Sequence, residues 1–141
     1  MSEIKLYIVR HGQTEWNTIG KLQGWQNSNL TESGIENALR LGERLKHIEF
    51  NQIYSSPLKR AMETAEYIKG SRENRIIPLD GFKEMGFGLW EGLDNEHLKE
   101  LYEEEHFNYW NRPELYKPNG GETFEEFFSR IKNSLDYILN N

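Results

Sequence analysis

Six residues, Ile4-Lys-Leu-Tyr-Ile-Val9, form a mostly apolar run that stops abruptly at Arg10-His11-Gly12. The run reads as a strand covered on both faces, because strands of a buried parallel sheet are apolar along their length rather than on alternate residues. Its stop places a fixed positive charge, an imidazole and a flexible backbone at the carboxyl end of that strand. In parallel α/β sheets, binding sites form beyond those ends.

The rest of the chain alternates in the same sense. Residues 10–30 read as a loop carrying Gly12, Gly20, Gly24 and several asparagines. Thr31 suits the N-cap of a helix over about 32–47, with Ile35, Ala38, Leu39, Gly42 and Leu45 on one face. Residues 51–55 suggest a short strand. Ser56-Pro57 then opens a second helix, Ser as cap and Pro at its first position, and Gly70 is its stop. Residues 75–79 read as a third strand that ends at Pro78 or lies at an edge. The Gly-rich stretch 81–93 carries Glu84, Trp90 and Glu91, and 94–118 reads as a short helix and an aromatic loop. Thr123-Phe-Glu-Glu126 has the spacing of a capping box and starts a last helix to about 139. The pattern predicts an α/β fold, a mostly parallel central sheet flanked by helices, as one domain over residues 1–141.

Composition narrows the chemistry. The formal net charge of −6 argues against bulk attraction to nucleic acid or an anionic membrane, so an anionic substrate needs a local cationic pocket. The absence of cysteine excludes disulfides, thiolate metal sites and a thiol nucleophile. No cluster has metal-ligand spacing, and no metal or cofactor is expected. No apolar run approaches the ~20 residues of a membrane span. The N-terminus enters the first strand at once, which leaves no room for a signal peptide and makes a cytoplasmic location the expectation.

Against that background Arg10, His11 and Arg60 stand out. Arg60 follows Ser55-Ser56-Pro57 by one helical turn, so it can project from a helix N-terminus, which itself carries partial positive charge. Two guanidinium forks and a helix end make a phosphate cradle. A neutral imidazole held there can attack phosphorus and form phosphohistidine. The neighbouring cations favour the neutral ring at pH 7. A leaving alkoxide then needs a proton, and Glu84 is the best-placed carboxylate, with Glu91 its competitor.

The order of the short motifs carries a resemblance. Val9-Arg-His-Gly-Gln-Thr-Glu-Trp-Asn17, Gly24-Trp25, Leu30-Thr-Glu-Ser-Gly34, Tyr54-Ser-Ser-Pro-Leu-Lys-Arg-Ala-Met-Glu-Thr-Ala65, Glu84-Met-Gly-Phe-Gly-Leu-Trp-Glu-Gly92 and Gly120-Gly-Glu-Thr123 follow one another as in the histidine phosphatase superfamily, with its phosphoglycerate mutase-like fold. The resemblance spans residues 4–139. It implies that His11 is the phosphorylated nucleophile, that Arg10 and Arg60 clamp the phosphate with Asn17 assisting, that Gln23 and Gly24 lie near the substrate, and that Glu84 is the proton donor. It implies a small phosphorylated metabolite as substrate.

One departure follows. Family members add a further strand ending in Ser-His-Gly or a close variant, whose histidine completes the phosphate pocket. This sequence ends at Asn140-Asn141, and His47, His97 and His106 do not fit that role. Three explanations compete: a fragmented gene product, a shortened chain, or a partner chain that fills the gap. Without that strand, 4–9 is expected to expose an unpaired edge, which a homodimer or swapped assembly would cover. The functional expectation is phosphomonoester hydrolysis through phosphohistidine. The alternatives are a phosphoglycerate mutase and a non-catalytic phosphoester-binding module. A mutase must shield phosphohistidine from water, and the stretch between Gly92 and Gly120 carries no long basic insertion to act as a lid, which tilts toward a phosphatase.

Overall fold

A computed structural model describes residues 3–141. After the short helix α1 (Glu15–Thr18) comes α2 (Glu32–Arg44), begun by Thr31, whose hydroxyl accepts from the Gly34 amide. Strand β1 (Ile53–Ser55) passes through α3 (Lys59–Lys69) to β2 (Ile76–Pro78), and the two strands pair in parallel with Ile53 opposite Ile76. The ladder ends at Pro78, the residue without an N–H to donate. α2 and α3 pack on each other, and α3 also packs on both strands. Parallel strands need a crossover of this kind, most often a helix.

Three expectations change. First, α3 starts at Lys59 with Leu58 as its cap, two residues later than read from Ser56-Pro57. The Ser56 hydroxyl does accept from the Leu58 amide, but it closes a bend ahead of the helix rather than the helix itself. Second, α2 ends at Arg44 and the chain turns through 45–47. Third, residues 4–9 are not a covered strand. They form no strand and are exposed along their length, Ile8 to 90%. A strand is buried by ladder partners and by layers over its faces, and among the described residues 4–9 has no ladder partner. One anchoring contact is the Tyr7 ring, which meets Phe50 edge-on at 5.3 Å between centroids.

The densest packing lies away from the sheet. Met85, Phe87, Trp90, Leu98 and Tyr116 form a buried cluster, with Tyr102, Tyr109, Phe124 and Phe127 packed on it. The region read as one helix and a loop is two helices, α4 (Asn95–Leu101) and α5 (Glu103–Asn111), broken at Tyr102. α4 sends Leu98 and α5 sends Tyr109 into the cluster around Trp90, whose ring lies 5.8 Å from Tyr109 and 5.2 Å from Tyr116, beyond α5. The last helix, α6 (Phe124–Leu139), starts as expected, the Thr123 hydroxyl accepting from the Glu126 amide. Its apolar stripe is only half covered, with Phe128 left 62% exposed. No helix among the described residues is long and apolar enough to cross a membrane.

One close approach fixes the front of the molecule. A Cβ on Gly34 would lie 2.3 Å from the Gln13 carbonyl oxygen, and one on Gly12 would lie 2.8 Å from the Gly34 carbonyl oxygen. The first turn of α2 is thus in backbone contact with the stretch that follows His11.

The contrast in burial predicts a contrast in stability. Trp90→Ala is expected to cost about 3–5 kcal/mol, as for a large aromatic removed from a packed cluster. Ile8→Thr is expected to stay within about 0.5 kcal/mol of the parent. Equilibrium urea unfolding of both variants checks this, and a large loss for Ile8→Thr would show that 4–9 is covered in solution.

Candidate active site

The stretch beyond residues 4–9 is held by side chains from α3. The Gly12 amide donates to the Thr64 hydroxyl at 3.0 Å, and that hydroxyl donates to the Arg60 carbonyl at 2.7 Å. The His11 ring is then oriented by its own neighbour, with Nδ1 2.7 Å from the Gly12 carbonyl oxygen. A carbonyl only accepts, so Nδ1 carries the proton in the neutral ring. The lone pair therefore resides on Nε2, the atom available as a nucleophile.

Arg10, His11, Gln13 and Asn17 line one cleft of about 430 Å³. Arg10 is exposed and His11 half-buried. Asn17 belongs to the capping box that starts α1. Its Oδ1 accepts from the Thr14 amide while its own amide donates to the Thr14 hydroxyl. With the oxygen engaged, the Asn17 side-chain N–H groups are the part left for a ligand. Gln13 was not singled out from sequence. The one signal was its place two residues after His11 in the same short motif.

The other expected site residues fall into two groups. Arg60, on the first turn of α3, is 2% exposed and donates from Nη1 to the Gln26 carbonyl and from Nη2 to the Gly24 carbonyl. Its backbone amide donates to Asn27 Oδ1. Two of its five N–H groups hold the loop, so Arg60 shapes the site as well as charging it. Gln23 is buried, its Oε1 accepting from the amide and hydroxyl of Ser28. Gly24 turns at φ +53°, where a Cβ would lie 2.1 Å from Glu91 Oε1. Gln23 and Gly24 thus build the loop that Arg60 grips, and the cleft is lined by none of Gln23, Gly24, Arg60 and Glu84.

The two candidate acids are separated by their hydrogen bonds. Glu91 Oε1 accepts from the Trp25 amide at 2.5 Å. Glu84 is exposed, its Oε1 accepting from the Met85 amide. The charge of Glu84 reaches both His11 and Arg60. Burial lowers the His11 pKa from 6.5, and the Arg60 and Arg10 charges lower it further, against the Gly12 carbonyl and Glu84, which favour the protonated ring. The net effect keeps Nε2 unprotonated at neutral pH.

The remaining histidines are elsewhere. His47 is exposed beyond α2. His97 bonds Asp94 on the α4 surface, and His106 is buried against Trp90 with Nε2 donating to Asn95 Oδ1.

A family profile described as the histidine phosphatase superfamily, branch 1, matches residues 6–141. The chain belongs to the histidine phosphatase superfamily. It is 33% identical to phosphoserine phosphatase 1 of Hydrogenobacter thermophilus over 135 residues, 96% of this chain and 64% of that protein. It is 32% identical to the 2,3-bisphosphoglycerate-dependent phosphoglycerate mutase of Bartonella tribocorum, over 89% of this chain and 64% of that one. Among solved structures it superposes on Bacillus stearothermophilus YhfR with a TM-score of 0.89 and 37% identity, covering 93% of this chain and 65% of that one. A putative alpha-ribazole-5'-P phosphatase from Escherichia coli gives a TM-score of 0.88 at 29% identity, over 94% of this chain and 65% of that one. The histidine phosphatase fold is therefore the α/β fold of this chain, a parallel sheet flanked by helices. The chain spans a little under two thirds of the length of the curated relatives it matches.

The electrostatics of the His11 cleft predict a titration. The His11 ring followed by NMR is expected to titrate below 6.5, and Arg10→Gln is expected to move the midpoint upward, because a cation that opposes imidazolium is removed. The sign for stability follows. His11 is harder to protonate folded than unfolded, so its contribution is full above pH 6.5 and is lost as pH falls through the lower folded value.

Proposed function

We propose that this histidine phosphatase-family chain hydrolyses phosphomonoesters through a phosphohistidine on His11. One observation carries the reading: His11 Nδ1 is committed to the Gly12 carbonyl, which leaves the lone pair on Nε2, in a ring that shares its cleft with Arg10. Nε2 attacks phosphorus, the ester P–O bond breaks, and Glu84 gives the departing oxygen its proton. Water then attacks the phosphorus of phosphohistidine. The N–P bond breaks, inorganic phosphate leaves, and the proton lost by the water returns to Glu84. Arg10, Arg60 and the Asn17 amide stabilise charge on the phosphoryl oxygens.

The substrate class is a small phosphorylated metabolite, in keeping with relatives named for phosphoserine and phosphoglycerate. A cytoplasmic setting suits that class. Hydrolysis is favoured over return of the phosphoryl group to a second hydroxyl because a mutase has to keep water from phosphohistidine, and the stretch between Gly92 and Gly120 carries no long basic insertion to do so.

Turnover of para-nitrophenyl phosphate by the full chain tests this. The expected outcome is hydrolysis that falls by a factor of about 10³ or more in His11→Ala, as for loss of a nucleophile. An acid-labile phosphate on His11 should appear in the mass spectrum of the parent. Hydrolysis as fast in His11→Ala as in the parent overturns the nucleophile assignment. Binding of phosphate esters without turnover supports a binding module instead.

A further inference from the structure

Glu84 is exposed and sits in an irregular stretch, yet the proposed chemistry needs its carboxyl group in one place. The stretch 81–86 has no ladder and only one turn of 3-10 helix, Asp80–Phe82, at its start. Its backbone is instead held from α6. Arg130 Nη1 donates to the carbonyls of Gly81 at 2.8 Å and Lys83 at 2.9 Å, and Nη2 donates to the Glu84 carbonyl at 3.2 Å. The same guanidinium is clasped by Glu122, Nε to Oε1 at 2.8 Å and Nη2 to Oε2 at 2.7 Å. All five N–H groups of Arg130 are thus engaged. Glu122 closes the circuit, its Oε2 accepting from the Gly86 amide at 2.8 Å and its own amide donating to the Gly86 carbonyl at 2.8 Å. The pair is mostly covered, with side-chain exposures of 21% and 13%.

We propose that Arg130 and Glu122 are positioning residues for Glu84: their paired side chains fix the backbone of residues 81, 83, 84 and 86 and so hold the Glu84 carboxylate in one place. This rests on the reading of Glu84 as the proton donor at the His11 site. The fork geometry is what matters. A lysine at 130 keeps the charge but presents three donors from one point, so it cannot span Gly81, Lys83, Glu84 and Glu122 together. An aspartate at 122 keeps the charge but is one methylene too short to reach Arg130 and the Gly86 amide at once. Burial would raise the Glu122 pKa, but the Arg130 fork and the Gly86 amide outweigh it and hold the carboxyl below its ordinary value, so the clasp is charged at neutral pH.

The test reads Glu84 from His11, the ring that also faces Arg10 and Arg60. The His11 titration is followed by NMR in the parent full chain, Glu84→Gln, Arg130→Lys and the double variant. Glu122→Asp is the second charge-preserving variant should Arg130→Lys fail to fold. Glu84→Gln is expected to lower the His11 midpoint by about half a pH unit, roughly threefold in proton affinity, because a carboxylate that favours imidazolium is gone. Arg130→Lys and Glu122→Asp are expected to lower it toward the same value, with no further drop in the double variant. A purely structural clasp would lower the melting temperature and leave the His11 titration where it was, which overturns the proposal. A double variant that falls below Glu84→Gln also overturns it, because the clasp would then act on His11 by another route. If Glu84→Gln itself leaves His11 unmoved, Glu84 is not beside the nucleophile, and the reading of the site fails along with the proposal.

Discussion

The site depends on a short chain of hydrogen bonds from the Gly12 amide to the Thr64 hydroxyl and from that hydroxyl to the Arg60 carbonyl. The stretch that carries His11 has no ladder to hold it, so its position is set by α3 instead. Thr64 is 4% exposed, and a buried hydrogen bond of this kind is costly to leave unmade. The close contact between the backbones of Gln13 and Gly34 blocks the stretch from the other side. Between these restraints the Gly12 carbonyl is fixed, and with it the tautomer of His11. The side of the ring that carries the lone pair is thus set by backbone geometry.

Arg60 shows how charge and architecture are combined in one side chain. A guanidinium at 2% exposure has lost its water and must be repaid by fixed dipoles. The carbonyls of Gly24 and Gln26 supply them, and the carboxylates of Glu84 and Glu91 supply opposite charge. The result is a cation that cannot swing away, which suits electrostatic stabilisation because nothing has to reorganise when charge develops. The same bonds explain the place of Gln23 and Gly24. They form the loop whose carbonyls Arg60 needs, and their effect on a ligand would pass through Arg60.

What the sequence made legible follows the range over which each signal acts. Thr31 and Thr123 were read as caps because a hydroxyl reaches an amide three residues on, a purely local bond. Gly70 was read as a stop, and it ends α3 at φ +57°. The start of α3 was misread because Ser56-Pro57 satisfies the local rule, while the backbone closes a bend first and makes Leu58 the cap. The split of the 94–118 region at Tyr102 was not legible, since it is decided by how two helices meet one buried Trp90. Residues 4–9 show the limit most clearly. Their apolar run says only what they prefer to be buried against, and burial needs partners that a local pattern does not specify. At the site, Arg10, His11 and Asn17 were legible and share a cleft. The grip of Arg60 on carbonyls 24 and 26 was not, because nothing in its own neighbourhood encodes residues more than thirty positions away.

The chain spans under two thirds of the length of the relatives named above, and the ties around its candidate site are long-range ones within that span. Several backbone points around the candidate site are fastened by side chains within residues 12–130: the Gly12 amide by Thr64, the Gly24 carbonyl by Arg60, the Glu84 carbonyl by Arg130 and the Trp25 amide by Glu91. None of these bonds uses the ladder. The sheet contributes only the turn-off points where β1 and β2 release the chain toward α3 and the 80s loop. Side-chain forks and amides therefore hold the front of the molecule independently of how the exposed run 4–9 is paired. The candidate site is therefore held without any ladder on residues 4–9 among the described residues.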